Sequence, residues 1–151
     1  MPDVISDSSC LIALDNIGML FILKELYGKI YISREVADEF GKKTEDWIET
    51  RKVRDENYVN ILNTLIDLGE SGSIALSFEF SNSLLILDDL KARQVARNLN
   101  LRFTGLLGVI LKAKQKGIIS SVKDMINRLK SVNFRISQAM ENEVLRLADE
   151  D

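Results

Sequence analysis

A three-layer α/β fold, with a mostly parallel central sheet and helices on both faces, is predicted by two features of this sequence. Short apolar, β-branched runs such as Ile30-Tyr31-Ile32 and Leu84-Leu85-Ile86-Leu87 alternate with longer segments of helical periodicity. The resulting order, β-α-α-β-α…α-β-α-β-α, places helical crossovers between strands, which is how parallel sheets are connected. A third feature points to where a site would lie. Asp7 follows Val4-Ile5-Ser6 and Asp88 follows Leu84 to Leu87, and the carboxyl ends of parallel strands border the crevice that holds ligands in open α/β sheets.

The elements follow in order. Residues 3–7 read as a first strand, and Ser8-Ser9 offer hydroxyl caps to a helix through Leu11, Ile12 and Leu14. Ile17, Leu20, Phe21 and Lys24 continue at helical spacing to Leu26, and Gly28 breaks the pattern before a second strand over 29–32. Ser33 caps a helix carrying Val36, Ala37, Glu39 and Phe40, ended by Gly41. From Gly41 to Tyr58 ten of eighteen residues are charged, so this stretch reads as an exposed arm anchored by Trp47 and Ile48, with a short strand over 52–54. Tyr58, Leu62, Leu65 and Ile66 lie on one helical face that stops near Gly69, and Glu70 opens the next helix. Strand 84–87, a helix over 89–98, a brief strand over 101–103 and a helix from Thr104 to Lys116 come next. Two helices, about 121–130 and 137–148, finish the chain.

At 151 residues, with 46% hydrophobic and 28% charged content, the chain is long and apolar enough for one self-supporting domain over 1–151. Cys10 is the single cysteine and cannot form an internal disulfide. With no signal-peptide pattern and no apolar run of membrane-spanning length, this favours a cytoplasmic protein. Histidine is absent, which excludes Ser-His and Cys-His nucleophile pairs and His-ligated zinc. Carboxylates holding a hard cation are then the most direct route to an activated water.

Net charge is −3, yet Leu90 to Lys123 contains no acid and eight cations, Lys91, Arg93, Arg97, Arg102, Lys112, Lys114, Lys116 and Lys123, so the rest of the chain carries −11. Such a stretch beside Asp88 suits phosphate contacts from an anionic polymer, with Lys91, Arg93, Arg97 and Lys112 the candidates. It equally suits the solvated faces of two helices, and only Phe103 interrupts it with an aromatic ring.

Four acids border apolar runs: Asp7, Glu39, Glu70 and Asp88. Crowded in one crevice they would need Mg²⁺ or Mn²⁺ for neutralisation. Each also has a structural use. Asp7 suits a helix cap, as does Asp88 or Asp89; Glu70 suits a helix N-terminus; Asp38 and Glu35 compete with Glu39. Gly69-Glu70-Ser71-Gly72 and Gly105-Leu106-Leu107-Gly108 lack the spacing of phosphate-binding glycine loops.

Four segments taken in sequence resemble the successive motifs of a PIN-like branch of proteins: Ile5-Ser6-Asp7-Ser8-Ser9-Cys10, Gly69-Glu70-Ser71-Gly72-Ser73-Ile74-Ala75, Leu85-Ile86-Leu87-Asp88-Asp89-Leu90-Lys91-Ala92-Arg93 and Phe103-Thr104-Gly105-Leu106-Leu107-Gly108. The resemblance covers about residues 3 to 120 and continues weakly to Phe134-Arg135-Ile136-Ser137. It implies a three-layer PIN-like (Rossmann-like) fold and a metal-dependent ribonuclease like the toxins of toxin-antitoxin pairs. Asp7, Glu39, Glu70 and Asp88 would surround Mg²⁺ or Mn²⁺, with Asp89 an additional ligand and Ser8, Ser9 and Thr104 as nearby hydroxyls. The implied partners are single-stranded RNA, an antitoxin protein and a second copy in a homodimer. Many PIN nucleases have Asp-x-Asn at the first motif, whereas here Asp7 is followed by Ser8 and Ser9, and Glu70 stands where they usually have Asp. A PIN-like module that binds nucleic acid or a protein without cleaving is the second reading, and a metal-dependent phosphatase the third.

Overall fold

The computed structural model describes residues 1–151. Along the chain it places β1 Asp3–Ser6, α1 Ser8–Asn16, α2 Phe21–Tyr27, β2 Ile30–Ser33, α3 Arg34–Phe40, β3 Ile48–Arg51, α4 Glu56–Leu62, α5 Leu68–Ser77, β4 Ser83–Ile86, α6 Leu90–Asn98, β5 Phe103–Thr104, α7 Leu106–Gln115, α8 Val122–Ser131 and α9 Gln138–Leu147. The five strands form one sheet in the order β3-β2-β1-β4-β5, every neighbouring pair parallel.

Alternation along the strands divides the core between the two faces. Val4, Ile30, Ile32 and Ile86 turn to one face and pack with Leu14, Leu23, Ile110 and Ile126 from the helices there. Ile5 and Leu85 turn to the other, against Val59, Ile74, Leu76 and Ala96 of α4, α5 and α6. Both faces of β1 and β4 are therefore covered, which explains consecutive apolar residues at Val4-Ile5 and Leu84-Leu85-Ile86. No helix is long and apolar enough to cross a membrane.

Four expectations change, the first being that Asp7 rather than Ser8-Ser9 caps α1, accepting from the Cys10 amide. The helical spacing from Leu11 to Leu26 is divided into α1 and α2 by a turn at Gly18, whose φ of +69° is open to glycine but strained for other residues. The strand expected at 52–54 lies at Ile48–Arg51, where Ile30↔Ile48 and Ile32↔Thr50 pair on the sheet edge. Its charges hid it: Glu49 is exposed enough to pair with Lys29 at 2.8 Å and with Arg51, as edge strands allow. Gly69 does not stop a helix but sits in the first turn of α5, behind an extended Asp67.

Strand order fixes where a site can form. From β1 the chain moves outward to β2 and β3 on one side, then returns to β4 and β5 on the other. The crevice opens where the crossovers part, beyond the carboxyl ends of β1 and β4. Ser6↔Ile86 is the last register pair of those strands, and the Asp7 amide donates to the Ile86 carbonyl at 3.0 Å.

Candidate active site

Asp7 and Asp88 emerge side by side at this point. Asp7 is 4% exposed. Its Oδ1 accepts from the Cys10 amide at 3.0 Å, capping α1, and its Oδ2 accepts from the Ser9 hydroxyl at 3.1 Å and the Asp88 amide at 3.2 Å. Burial, then the neighbouring charge of Asp88, push its carboxyl up to about 7 despite these hydrogen bonds. The cap and the site position are thus one arrangement.

Asp88 follows β4 by two residues and its carboxyl is also raised, chiefly by burial. Its Oδ1 accepts from the Leu106 amide at 3.1 Å, in the first turn of α7, and from Arg93 at 3.3 Å. Its Oδ2 is buried and has no partner. Among charged oxygens this is a rare condition, because an unsatisfied buried acceptor is costly.

Glu39 lies in the last turn of α3 and accepts from the Ser8 hydroxyl at 3.0 Å. Its carboxylate rests against α5, where a Cβ on Gly69 would fall 2.0 Å from Oε1. Of its competitors, Asp38 is exposed, as Glu39 itself is, while Glu35 has a buried, unpartnered Oε1 beside Gly72. Glu70, in the first turn of α5, has its pKa raised by burial and then by Asp67, Asp89 and Glu39. The acids therefore fall into two neighbouring sets, Asp7 with Asp88, and Glu70 with Glu39, Asp67 and Asp89. No three of them meet closely enough to form a ready-made metal cluster.

Of the remaining candidates, Asp89 is exposed and caps α6 through the Ala92 amide at 2.9 Å. The Thr104 hydroxyl turns to the start of α7, near the Gly105 carbonyl and against Gly108. Beside Asp88 opens a cleft of about 900 Å³, lined among others by Asp67, Asp89, Lys91, Arg93, Phe134 and Arg135. Arg97 and Lys112 do not line it; they lie over the rings of Phe103 and Tyr27, at 5.4 and 5.1 Å. Arg135, Phe134 and Asp67 were not singled out from the sequence. Arg135 stands outside the acid-free stretch, and only the Phe134-Arg135-Ile136 segment of the resemblance hinted at it.

A family model described as PIN domain matches residues 3–150. The chain belongs to the PIN-domain family. Comparison with curated proteins returned no match. Membership agrees with the all-parallel five-stranded sheet and gives this PIN domain a nuclease-type fold; PIN domains generally use divalent metal ions.

The donor set of this PIN domain fits such an ion in a particular way. Mg²⁺ is usually held by one or two carboxylates together with waters and substrate phosphates rather than by an all-protein cage. The buried, unpartnered Oδ2 of Asp88 is the kind of oxygen that a hard cation satisfies, and Asp7 lies beside that residue, accepting from its amide.

Proposed function

We propose that this PIN domain is a metal-dependent endoribonuclease that hydrolyses phosphodiester bonds in single-stranded RNA. The observation that carries this reading is the Asp7–Asp88 pair at the switch point of the sheet, with a free buried oxygen and a cleft opening directly beside it. Asp7 and Asp88 would hold Mg²⁺ or Mn²⁺, with Glu70, Glu39 and Asp89 nearby. When bound, such an ion neutralises charge at phosphorus and makes water a better nucleophile near neutral pH. Ser9 and Ser8 hold Asp7 and Glu39 in place through their hydroxyls. Lys91 and Arg135 supply cations to phosphates along the cleft, while Phe134, Ile136 and Leu107 give it an apolar wall.

The reading extends to a toxin of a toxin-antitoxin pair, acting in the cytoplasm as a homodimer. What supports it is the resemblance of the four motifs, together with exposed Leu65 and Leu90 at the cleft, apolar side chains that a partner protein would cover.

The test is cleavage of a labelled single-stranded RNA by the purified chain in Mn²⁺, with and without EDTA. Cleavage is expected only with the ion, and RNA left intact in both would remove the enzyme reading. The absence of a three-acid cluster favours the second reading, a PIN-like module that binds RNA without cutting it. Its signature would be salt-sensitive RNA binding with no product.

Gly69→Ala probes the second set of acids. The added methyl would displace the end of the Glu39 side chain rather than backbone, and alanine favours a helix over glycine by about 1 kcal/mol. Stability in urea is therefore expected within about 1 kcal/mol of wild type, while cleavage falls. Unchanged cleavage would take Glu39 out of the site.

A further inference from the structure

Arg93 is placed as no surface ion-pairing residue is. Its Nε donates to the Leu87 carbonyl at 2.7 Å and its Nη2 to Asp88 Oδ1 at 3.3 Å. The side chain is only 18% exposed and lies over Phe103. The chain keeps room for it: a Cβ at position 105 would fall 2.0 Å from Arg93 Nη2 and 2.8 Å from Asp88 Oδ1, so Gly105 is what lets guanidinium and carboxylate meet. A strand-end carbonyl, a ring and a glycine thus fix one positive charge on one oxygen of Asp88 and leave the other free.

We propose that Arg93 is a built-in counter-cation that competes with a divalent ion for Asp88 and so sets the ion affinity of the site low. The inference rests on the nuclease reading above. Any dication at the free oxygen of Asp88 shares that carboxylate with a guanidinium. Repulsion between a unit charge and a dication at such separations, even with the dielectric of bulk water, corresponds to a change in affinity of about tenfold or more. The same charge steadies Asp88, whose carboxylate pairs with no other cation of the chain. Arg93 acts through Asp88 and is a regulator of the site rather than a catalytic residue.

The experiment is calorimetric titration of Mn²⁺ alone into the full chain, as wild type, Arg93→Met, Arg93→Gln and Arg93→Lys. The Met variant keeps an apolar stem over Phe103. The Met and Gln variants are expected to bind Mn²⁺ about tenfold more tightly or better. They should also melt lower than wild type without Mn²⁺ and gain more in Tm when it is added. Lys, which keeps the charge but not the two-point guanidinium contact, should fall between wild type and the Met variant. An unchanged or weaker Kd in the Met and Gln variants overturns the proposal; so does a raised KM for RNA with unchanged Mn²⁺ affinity, which would make Arg93 a phosphate ligand. If both variants are unfolded in buffer, refolding on adding Mn²⁺ supports the proposal and failure to refold overturns it. Wild type that cleaves RNA while Mn²⁺ affinity ignores Arg93 leaves the nuclease reading standing. Wild type that neither binds Mn²⁺ nor cleaves removes both.

Discussion

Asp88→Asn is expected to lower cleavage of single-stranded RNA in Mn²⁺ by about a thousandfold or more, with the fold intact. Asparagine keeps the shape of the side chain and an acceptor for the Leu106 amide, so α7 can still start where it does. What it removes is the negative charge on the free oxygen, the feature on which the proposed ion site depends. The neighbouring substitution is the control. Asp89 is exposed and its visible task is to cap α6, which asparagine does about as well. Asp89→Asn should therefore change the rate only modestly. Gel assays at matched protein concentration, with circular dichroism on each variant, decide the matter. Should Asp88→Asn retain activity within tenfold, or Asp89→Asn prove equally damaging, the roles given to these two acids are wrong.

The second large effect is on stability. The carboxyl of Asp7, raised by burial and then by Asp88, stands at about 7 in the folded chain against an ordinary 3.8. Below pH 3.8 it holds its proton in both states. Between there and about 7 the unfolded chain releases the proton while the folded chain keeps it, so stability falls as pH rises and levels off above that. A rise of that size corresponds to on the order of 4 kcal/mol. Asp7→Asn removes the titration, and asparagine can still cap α1. Urea unfolding should show Asp7→Asn more stable than wild type at pH 8, with the difference closing as pH is lowered toward 4. A difference that stays flat with pH would mean that Asp7 is not held in the folded chain as described. Asp7→Asn, which removes a proposed ion ligand, is thus expected to stabilise the chain, the trade that arises where charges are crowded for function rather than for folding.

The fold was legible because it rests on local patterns. The strand runs around Ile5, Ile30 and Leu85, the cap at Ser33, the last helix from about residue 137 and the crossover order all appear in the structure near where the sequence puts them. The departures share a cause. At β3 and at Gly69 the decisive neighbour is distant in sequence. Glu49 and Arg51 sit in a strand because β2 pairs with it, and a glycine stands inside a helix at position 69 where Glu39 lies against it. The acid-free stretch is divided in the same way. Its cations are dispersed by the turn of the helices, Lys114 going to Glu150 at 2.8 Å and Arg97 to Phe103, while Lys91 and Arg93 reach the cleft.

The sequence by itself determined the three-layer α/β architecture and which acids end the central strands, since burial period and chain order are properties of consecutive residues. Only the tertiary structure decided that Asp7 and Asp88 form one pair, that Glu39 and Glu70 belong to a second set beside it, that Arg93 occupies one oxygen of Asp88, and that Arg135 and Phe134 wall the cleft. Those facts depend on strand order and helix packing. Contacts between residues tens of positions apart are fixed by the whole core, and no local period in the chain encodes them.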